Sequence, residues 1–320
     1  MHDTLALTDP FSPALTDQTD LHAWLTERYR VEKHLQQWAD NRPKPTLAPG
    51  ALNHWIVLWH LYERVQDAAT TPPPLSPRAQ RFEQAFAEAA RSIANSDKTL
   101  PELATLQHCL HQWYASLDTP AYRTARRAEE RRPRENLKRF AEWFDALWKQ
   151  YSHLRLIRVD LGYGEGMRPN VGNIQAHRAA LCKAFHDNPL FEALLGYAWT
   201  LEWQPRKGFH YHFVFCFDGH QTRQDITLGK AIGHYWQQIV GQDIGVYFNC
   251  NTSTYEEHAL GELRYHDTKK RHRVIERIGG YLTKRDAIAA LIANRTFQTS
   301  VIKPPRATSV GRPRQHRIAT

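Results

Sequence analysis

Large apolar residues recur three or four positions apart through the first third of the chain, the spacing of an amphipathic helix. Such patterns cover residues 21–66, 78–94 and 100–117. A Thr-Thr-Pro-Pro-Pro run at 70–74 interrupts them as a loop or spacer. Residues 1–120 are therefore predicted to be a mostly helical accessory region with a flexible lead-in over 1–20. This region contains no catalytic motif, and the sequence leaves its role open.

After residue 150 the hydrophobic period changes from that of a helix to that of a strand. Branched and aromatic residues predict strands over 154–161, 195–203 and 209–217 and a short extended segment over 246–251, and helical patterns cover 173–185, 225–239 and 274–293. Interleaved strands and helices predict an α+β fold over 151–294, with a central antiparallel sheet flanked by helices. The remaining residues, 295–320, hold six Lys and Arg and no acid, and are predicted to form a basic, disordered tail.

Charge divides the chain into two parts. Residues 1–122 hold 10 Lys and Arg against 14 Asp and Glu, a net charge of −4, whereas residues 123–320 hold 32 against 19, a net of +13. A basic linker followed by an amphipathic helix is predicted over 121–150. Its eight basic residues between 122 and 139 are either a solvated helix face or a contact for a DNA backbone. A polyanion is the natural partner of the basic part.

Composition also excludes several classes of protein. The chain contains no run of about 20 apolar residues, so no membrane partner is expected. Its start lacks the basic and apolar regions of a secretory signal. The four cysteines form no CxxC pair, which argues against a disulfide framework or a cysteine zinc site and fits a reducing cytoplasm.

The first candidate for chemistry is a His-x-His pair in the clearest predicted strand. Residues two apart share a face of a strand, so His210 and His212 project together while Tyr211 faces the core. Glu202 ends the preceding strand, and a hairpin would bring it alongside His210. Two imidazoles and a carboxylate suit Mg²⁺ or Mn²⁺ that polarises a phosphate. The alternative is a structural pair of surface histidines.

The second candidate is the segment Gly279-Gly280-Tyr281-Leu282-Thr283-Lys284. Positions three apart share a helix face, so Tyr281 and Lys284 are predicted to be neighbours. Tyrosine is a suitable nucleophile for DNA strand transfer, and a cation beside it favours the phenolate. The glycines would either let a DNA backbone approach or loosen the helix. A half-buried tyrosine with a solvated lysine is the structural alternative.

The order of these motifs resembles that of HUH-class rolling-circle replication initiators. A closer resemblance covers roughly residues 140–290, where several short segments resemble the inovirus gene-2-type replication proteins. That family includes the YagK/YfjJ-type prophage domain. These segments are RVDLGY at 158–163, GFHYHFVFCFDG at 208–219, the stretch 223–236, YFNCN at 247–251 and YLTK at 281–284. The resemblance covers about half of the chain and does not include the first 120 residues.

The resemblance implies a metal-dependent single-strand DNA endonuclease and strand transferase of phage, prophage or plasmid origin, located in a bacterial cytoplasm. Tyr281 would attack origin DNA to form a 5′-phosphotyrosyl intermediate, assisted by Lys284 and by Mg²⁺ or Mn²⁺ on Glu202, His210 and His212. Its partners would be single-stranded DNA and a replication origin, with a host helicase or polymerase as further candidates. The alternative is a non-catalytic DNA-binding or regulatory prophage protein. A histidine-triad hydrolase is set aside, because Val214 stands where a third alternating histidine is required.

Other residues keep two interpretations. Arg158 and Asp160 share a strand face and either orient a histidine or form an ordinary ion pair. Asn249 and Asn251 are expected to shape a turn. Trp199 and Trp203 either stack on bases or pack in the core.

Overall fold

A computed structural model describes residues 18–42, 76–94, 101–253, 259–284 and 295–302, together with isolated positions between these ranges. The helices are α1 Gln18–Asn41, α2 Pro77–Ala94, α3 Leu103–Leu117, α4 Pro120–Gln150, α5 Val171–Asp187, α6 Asp225–Val240, α7 Thr268–Arg273 and α8 Gly280–Leu282. The strands are β1 His153–Tyr163, β2 Leu194–Gln204, β3 Gly208–Asp218, β4 Gly245–Asn249, β5 Gly261–Arg264 and β6 Phe297–Thr299. Single 3-10 turns occupy Pro189–Phe191 and Cys250–Thr252, and a π-helical segment, Val274–Gly279, joins α7 to α8.

The strands form one six-stranded antiparallel sheet in the order β4-β1-β3-β2-β6. Strand β1 pairs with β3 along one side. Its other side is shared between β5, opposite 153–156, and β4, opposite 159–163. The α+β fold with a central antiparallel sheet and a helical N-terminal region is therefore confirmed.

Both faces of the sheet are covered by helices, which explains why β3 is buried from Gly208 to Phe217. Odd-numbered residues of β1, β2 and β3 face one way and join a core with α5 and α6. Even-numbered residues face the other way, where Leu156, Val214 and Cys216 pack with α4 and the π-helical segment. Each large apolar side chain buried in this way contributes about 1.5–3 kcal/mol.

The N-terminal helices build a separate core from residues of α1, α2 and α3. Helices α1 and α4 each contribute residues to this helical core and also to a core on the sheet. Leu25 of α1 packs with the sheet while Val31 and Leu35 pack with the helices, and α4 contributes Tyr122 to the helical core and Phe140 to the sheet core. The accessory region is thus held to the sheet by shared helices.

The prediction of a basic linker before α4 is wrong, because the helix is continuous from Pro120 to Gln150. Its charges alternate at helical spacing, and Glu130 pairs with both Arg126 and Arg134 at 2.9 and 2.8 Å. Such i,i+4 pairs favour the helix. They offset part of the cost of Pro133, which lies inside the helix and cannot donate a backbone hydrogen bond.

Two further expectations need correction, and one strand was missed. The predicted tail begins with a strand, since β6 pairs with β2. Strand β5 carries too short a pattern to be predicted. The helix expected over 274–293 ends at Leu282, where Thr283 and Lys284 turn away. The predictions for 1–17, 43–58, 64–66, 70–74, 285–288, 290–292 and 303–320 lie outside the described residues. Within the described part of the chain, no helix has the length and apolar character required to span a membrane.

Candidate metal centre and active site

The candidate site lies on the even-numbered face of the sheet, where three strands run side by side. Glu202 of β2 is directly opposite His210 of β3, and His212 is opposite both Thr200 of β2 and Asp160 of β1. Because neighbouring strands are about 4.8 Å apart, this register brings side chains distant in sequence into contact. The hairpin predicted from the sequence is present.

Glu202 contacts both histidines through one oxygen. Its Oε2 lies 3.3 Å from Nε2 of His210 and 3.1 Å from Nε2 of His212. One ligand atom from each of the three residues fits within 4.8 Å of the others. Both histidines are buried and Glu202 is largely so, with 12% of its side chain exposed.

Hydrogen bonds at the opposite ring nitrogens orient both imidazoles. Nδ1 of His210 lies 3.1 Å from the carbonyl oxygen of Gly208, and Nδ1 of His212 lies 2.7 Å from Oδ1 of Asp160. Arg158 Nη2 also approaches the latter nitrogen, at 3.2 Å, but the shorter carboxylate contact places the proton on Nδ1. The Nε2 atoms of both rings therefore face Glu202 while Nδ1 is held by a second partner, as in metal-binding histidines.

The donor set fits a divalent metal ion. Nε2 of His210 is buried and has no hydrogen-bond partner among the described residues, a costly arrangement that a bound cation would relieve. Burial disfavours the Glu202 carboxylate, but its close contacts with His210 and His212 outweigh this effect and hold its pKa far below the usual range. The carboxylate is thus charged and available as an oxygen ligand.

Asp160 and Arg158 form the layer behind His212. Arg158 donates to both oxygens of Asp160, at 3.0 and 3.1 Å. Burial opposes ionisation of Asp160, yet contacts with His212 and Arg158 lower its pKa. Burial likewise disfavours the charged imidazole of His212, but Asp160 and Glu202 raise its pKa. The first interpretation of this pair, that it orients a histidine, is the one the geometry supports.

Tyr281 lies beside this group, 69 residues after His212 in sequence. Its hydroxyl is 3.2 Å from Nε2 of His212, and the two rings meet edge to face at 5.0 Å. The Arg158 guanidinium stacks over the tyrosine ring at 4.1 Å. Burial and Glu202 raise the pKa of Tyr281 to about 12, and Arg158 opposes this shift.

The π-helical segment and Gly279 set the position of Tyr281. A π turn contains more residues than an α turn, so it changes the direction in which the following side chains emerge. A Cβ on Gly279 would lie only 2.5 Å from the Phe140 ring of α4. Gly279 therefore permits close packing on α4 and is not available to DNA, whereas a Cβ on Gly280 would meet open space.

Lys284 comes just after the helix that carries Tyr281, and its backbone N–H donates to the Tyr281 carbonyl oxygen at 3.2 Å. It lines a groove together with Thr200 and the arginines of α4. Among the described contacts of the tyrosine, the neighbouring cation is Arg158. Lys284 does not share a helix face with Tyr281, because the helix ends at Leu282. The sequence signal for Arg158 was the strand face that it shares with Asp160.

The remaining candidates are structural. Trp199 and Trp203 are each 1% exposed on the opposite face of the sheet, which excludes the base-stacking interpretation. Tyr211 is fully buried in the same core, as predicted. Asn251 is buried and bonds to the backbone of Leu156 and Arg158, so it links a turn to β1.

The architecture defines an α+β domain with a buried Glu-His-His group and a tyrosine beside it. The chain belongs to the YagK/YfjJ C-terminal domain family, whose model matches residues 119–300. That range begins at the N-cap of α4 and includes β6, so both elements are part of the family domain. No curated protein and no solved structure gives a significant match.

Proposed function

We propose that this protein is a single-strand DNA endonuclease and strand transferase of the HUH class, and that it acts as a replication initiator. The observation that carries the proposal is the Tyr281 hydroxyl, placed 3.2 Å from a histidine of the Glu202–His210–His212 group. A nucleophile beside a metal-binding set is what phosphodiester transfer requires. The basic charge of the domain supports a nucleic acid as the substrate.

In the proposed reaction the Tyr281 oxygen attacks the scissile phosphorus. A tyrosyl O–P bond forms and the bond from phosphorus to the 3′ oxygen breaks. The phenol proton is balanced by the proton that the released 3′ hydroxyl gains. The 5′-phosphotyrosyl product keeps the phosphodiester bond energy, so a 3′ hydroxyl can later reverse the reaction and rejoin the strand.

Each residue of the site has a role in that step. His210, His212 and Glu202 would hold Mg²⁺ or Mn²⁺, which would polarise the phosphate and neutralise charge there. Arg158 places a second positive charge over the ring, where it favours the phenolate against the effect of burial. Asp160 keeps Nδ1 of His212 protonated and its ring fixed. Lys284 belongs to the DNA groove rather than to the nucleophile.

The wider role follows from the same proposal. A nick with a retained 5′ end leaves a 3′ hydroxyl for a polymerase, which is the first step of rolling-circle replication of a phage, prophage or plasmid. A replication origin would then be the substrate, with a host helicase or polymerase as partners in a bacterial cytoplasm. A non-catalytic DNA-binding or regulatory protein would need neither the tyrosine nor the metal-binding set.

The test is incubation of the full chain with single-stranded origin DNA and Mn²⁺, followed by a denaturing gel. We expect a covalent protein–DNA adduct that disappears in EDTA. Replacing His210 and His212 with Ala should abolish the adduct and retain DNA binding, which depends mainly on Lys and Arg contacts with phosphates. Undiminished cleavage by that double variant in EDTA would reject the metal site.

A further inference from the structure

Two large apolar side chains are exposed on the same sheet face as the metal-binding group. Phe248 is 53% exposed and Val246 is 45% exposed. Both are on β4, where Phe248 is paired with Asp160 and Val246 with Gly162. The intervening Tyr247 points to the opposite face, over Gly233 of α6. Adjacent exposed apolar side chains on an edge strand are typical of a surface that binds a partner.

Gly162 connects this apolar patch to the metal-binding group. A Cβ at Gly162 would touch His210 at 3.4 Å and Val246 at 3.7 Å, so the position lies directly between them. Glycine leaves this part of the sheet without a projecting side chain. The surface between His210 and Val246 is therefore open, while the neighbouring row of the sheet runs from His212 through Asp160 to Phe248.

A basic groove of about 560 Å³ borders the other side of the group. Thr200, which is paired with His212, is one of its lining residues, so the groove reaches the metal-binding group. Four cations line it, Arg131, Arg132, Arg139 and Lys284, against two carboxylates, Glu129 and Glu135. Arg131 pairs with Glu135 at 3.3 Å, but no carboxylate among the described residues pairs with Arg132, Arg139 or Lys284. The groove suits a chain of phosphates.

The two surfaces are chemically complementary to the two parts of an unpaired strand. Arginines and lysines attract the phosphates, and an exposed aromatic ring accepts a base by stacking. Strands β2 and β4 are three strand spacings apart, about 14 Å, which a few nucleotides span. A duplex keeps its bases stacked inside and would leave Phe248 unused.

We propose that single-stranded DNA crosses the sheet from the groove of Arg132, Arg139 and Lys284, over His210 and His212, to a base-stacking site at Phe248. The choice of DNA as the ligand rests on the proposed function. The path places one phosphate above the metal-binding group between two anchored flanks. Phe248 is thus a positioning residue, and the preference for unpaired DNA comes from it.

The test measures binding of a fluorescent oligothymidylate by the full chain in EDTA, where no cleavage occurs. We expect Phe248→Ala to weaken binding about tenfold, as loss of one stacked base does. Phe248→Trp should restore the affinity, because it keeps a stacking surface. Tyr265→Ala is the matched control, since Tyr265 is 61% exposed but not part of the patch. Binding of a length-matched duplex should not change with Phe248→Ala.

The groove is tested through salt dependence. Replacing Arg132 and Arg139 with Gln should flatten the slope of log affinity against log salt by about 1.4 for a single strand. The control replaces Arg126 and Arg134 with Gln. This change removes two charges from the same helix, at positions outside the groove. Equal effects of the two double variants, or equal effects of Phe248→Ala and Tyr265→Ala, would overturn the path.

The two proposals fail in different ways. If wild-type protein forms the covalent adduct but binding is indifferent to Phe248 and the groove, the nickase stands and the path is rejected. If binding depends on Phe248 and the groove but no adduct forms with Mn²⁺, the path stands and the nickase is rejected.

Discussion

The two faces of the central sheet are built from the same three strands but differ in what their side chains do. On the odd-numbered face, Tyr211, Phe213 and Phe215 are fully buried and pack ring against ring. On the even-numbered face, β3 changes from Val214 and Cys216, which pack with α4, to His210 and His212, the second of which contacts Tyr281. Alternation thus lets one strand serve a closed core and a polar site, with stability and chemistry on opposite sides.

The closed face gives the largest expected effect on stability. Phe213→Ala removes a fully buried ring that contacts Phe185 and Trp199, and should lower the free energy of unfolding by about 3–5 kcal/mol. His210→Ala on the other face should cost less, because the imidazole is smaller than the Phe213 ring and its Nε2 has no hydrogen-bond partner among the described residues. Urea unfolding of both variants measures the difference. A larger loss from His210→Ala would contradict the division between the faces.

A metal ion should stabilise the folded protein by binding to the polar face. Mn²⁺ at about 100 times its dissociation constant is expected to add about 2.7 kcal/mol to the free energy of unfolding. A thermal melt with and without EDTA measures this as a rise in Tm. The double variant lacking His210 and His212 is the control and should show no rise. An equal rise in wild type and control would place the metal elsewhere.

Much of the polar face is predictable from the sequence, because its key relations are local. His210 and His212 share a face by alternation, and a short hairpin returns Glu202 to them. The stacking of Arg158 over the Tyr281 ring depends instead on how β1 packs with a helix more than 100 residues later in the chain. Lys284 was misplaced because its helix contains a π segment and ends early. The three residues of β6 form a strand only because β2 offers an open edge.

Substitutions at the two glycines before Tyr281 test whether close packing on α4 positions the tyrosine over the polar face. Gly279→Ala should disturb the packing of the π-helical segment on Phe140, costing about 1–3 kcal/mol and displacing Tyr281. Gly280→Ala is the matched control, because its Cβ meets open space. Unfolding curves and adduct yield should separate the two. If both variants behave alike, close packing at Gly279 does not position the tyrosine.

The smallest expected effect concerns the layer behind His212. Arg158→Lys keeps a positive charge but loses the paired contact with both oxygens of Asp160, so adduct formation should slow without stopping. Single-turnover rates at saturating Mn²⁺ measure the change, and oligonucleotide binding provides the control. An unchanged rate would show that Arg158 supports only the structure of the face.

The central claim is that Tyr281 is the nucleophile, and peptide mapping of the covalent adduct tests it most directly. Wild-type protein, Mn²⁺ and single-stranded origin DNA should give one modified peptide, with the DNA phosphate on Tyr281. Tyr281→Phe keeps the ring beneath Arg158, so it should bind the same DNA and form no adduct. A DNA phosphate on another tyrosine, such as Tyr163 or Tyr265, or an undiminished adduct in Tyr281→Phe, would contradict the account.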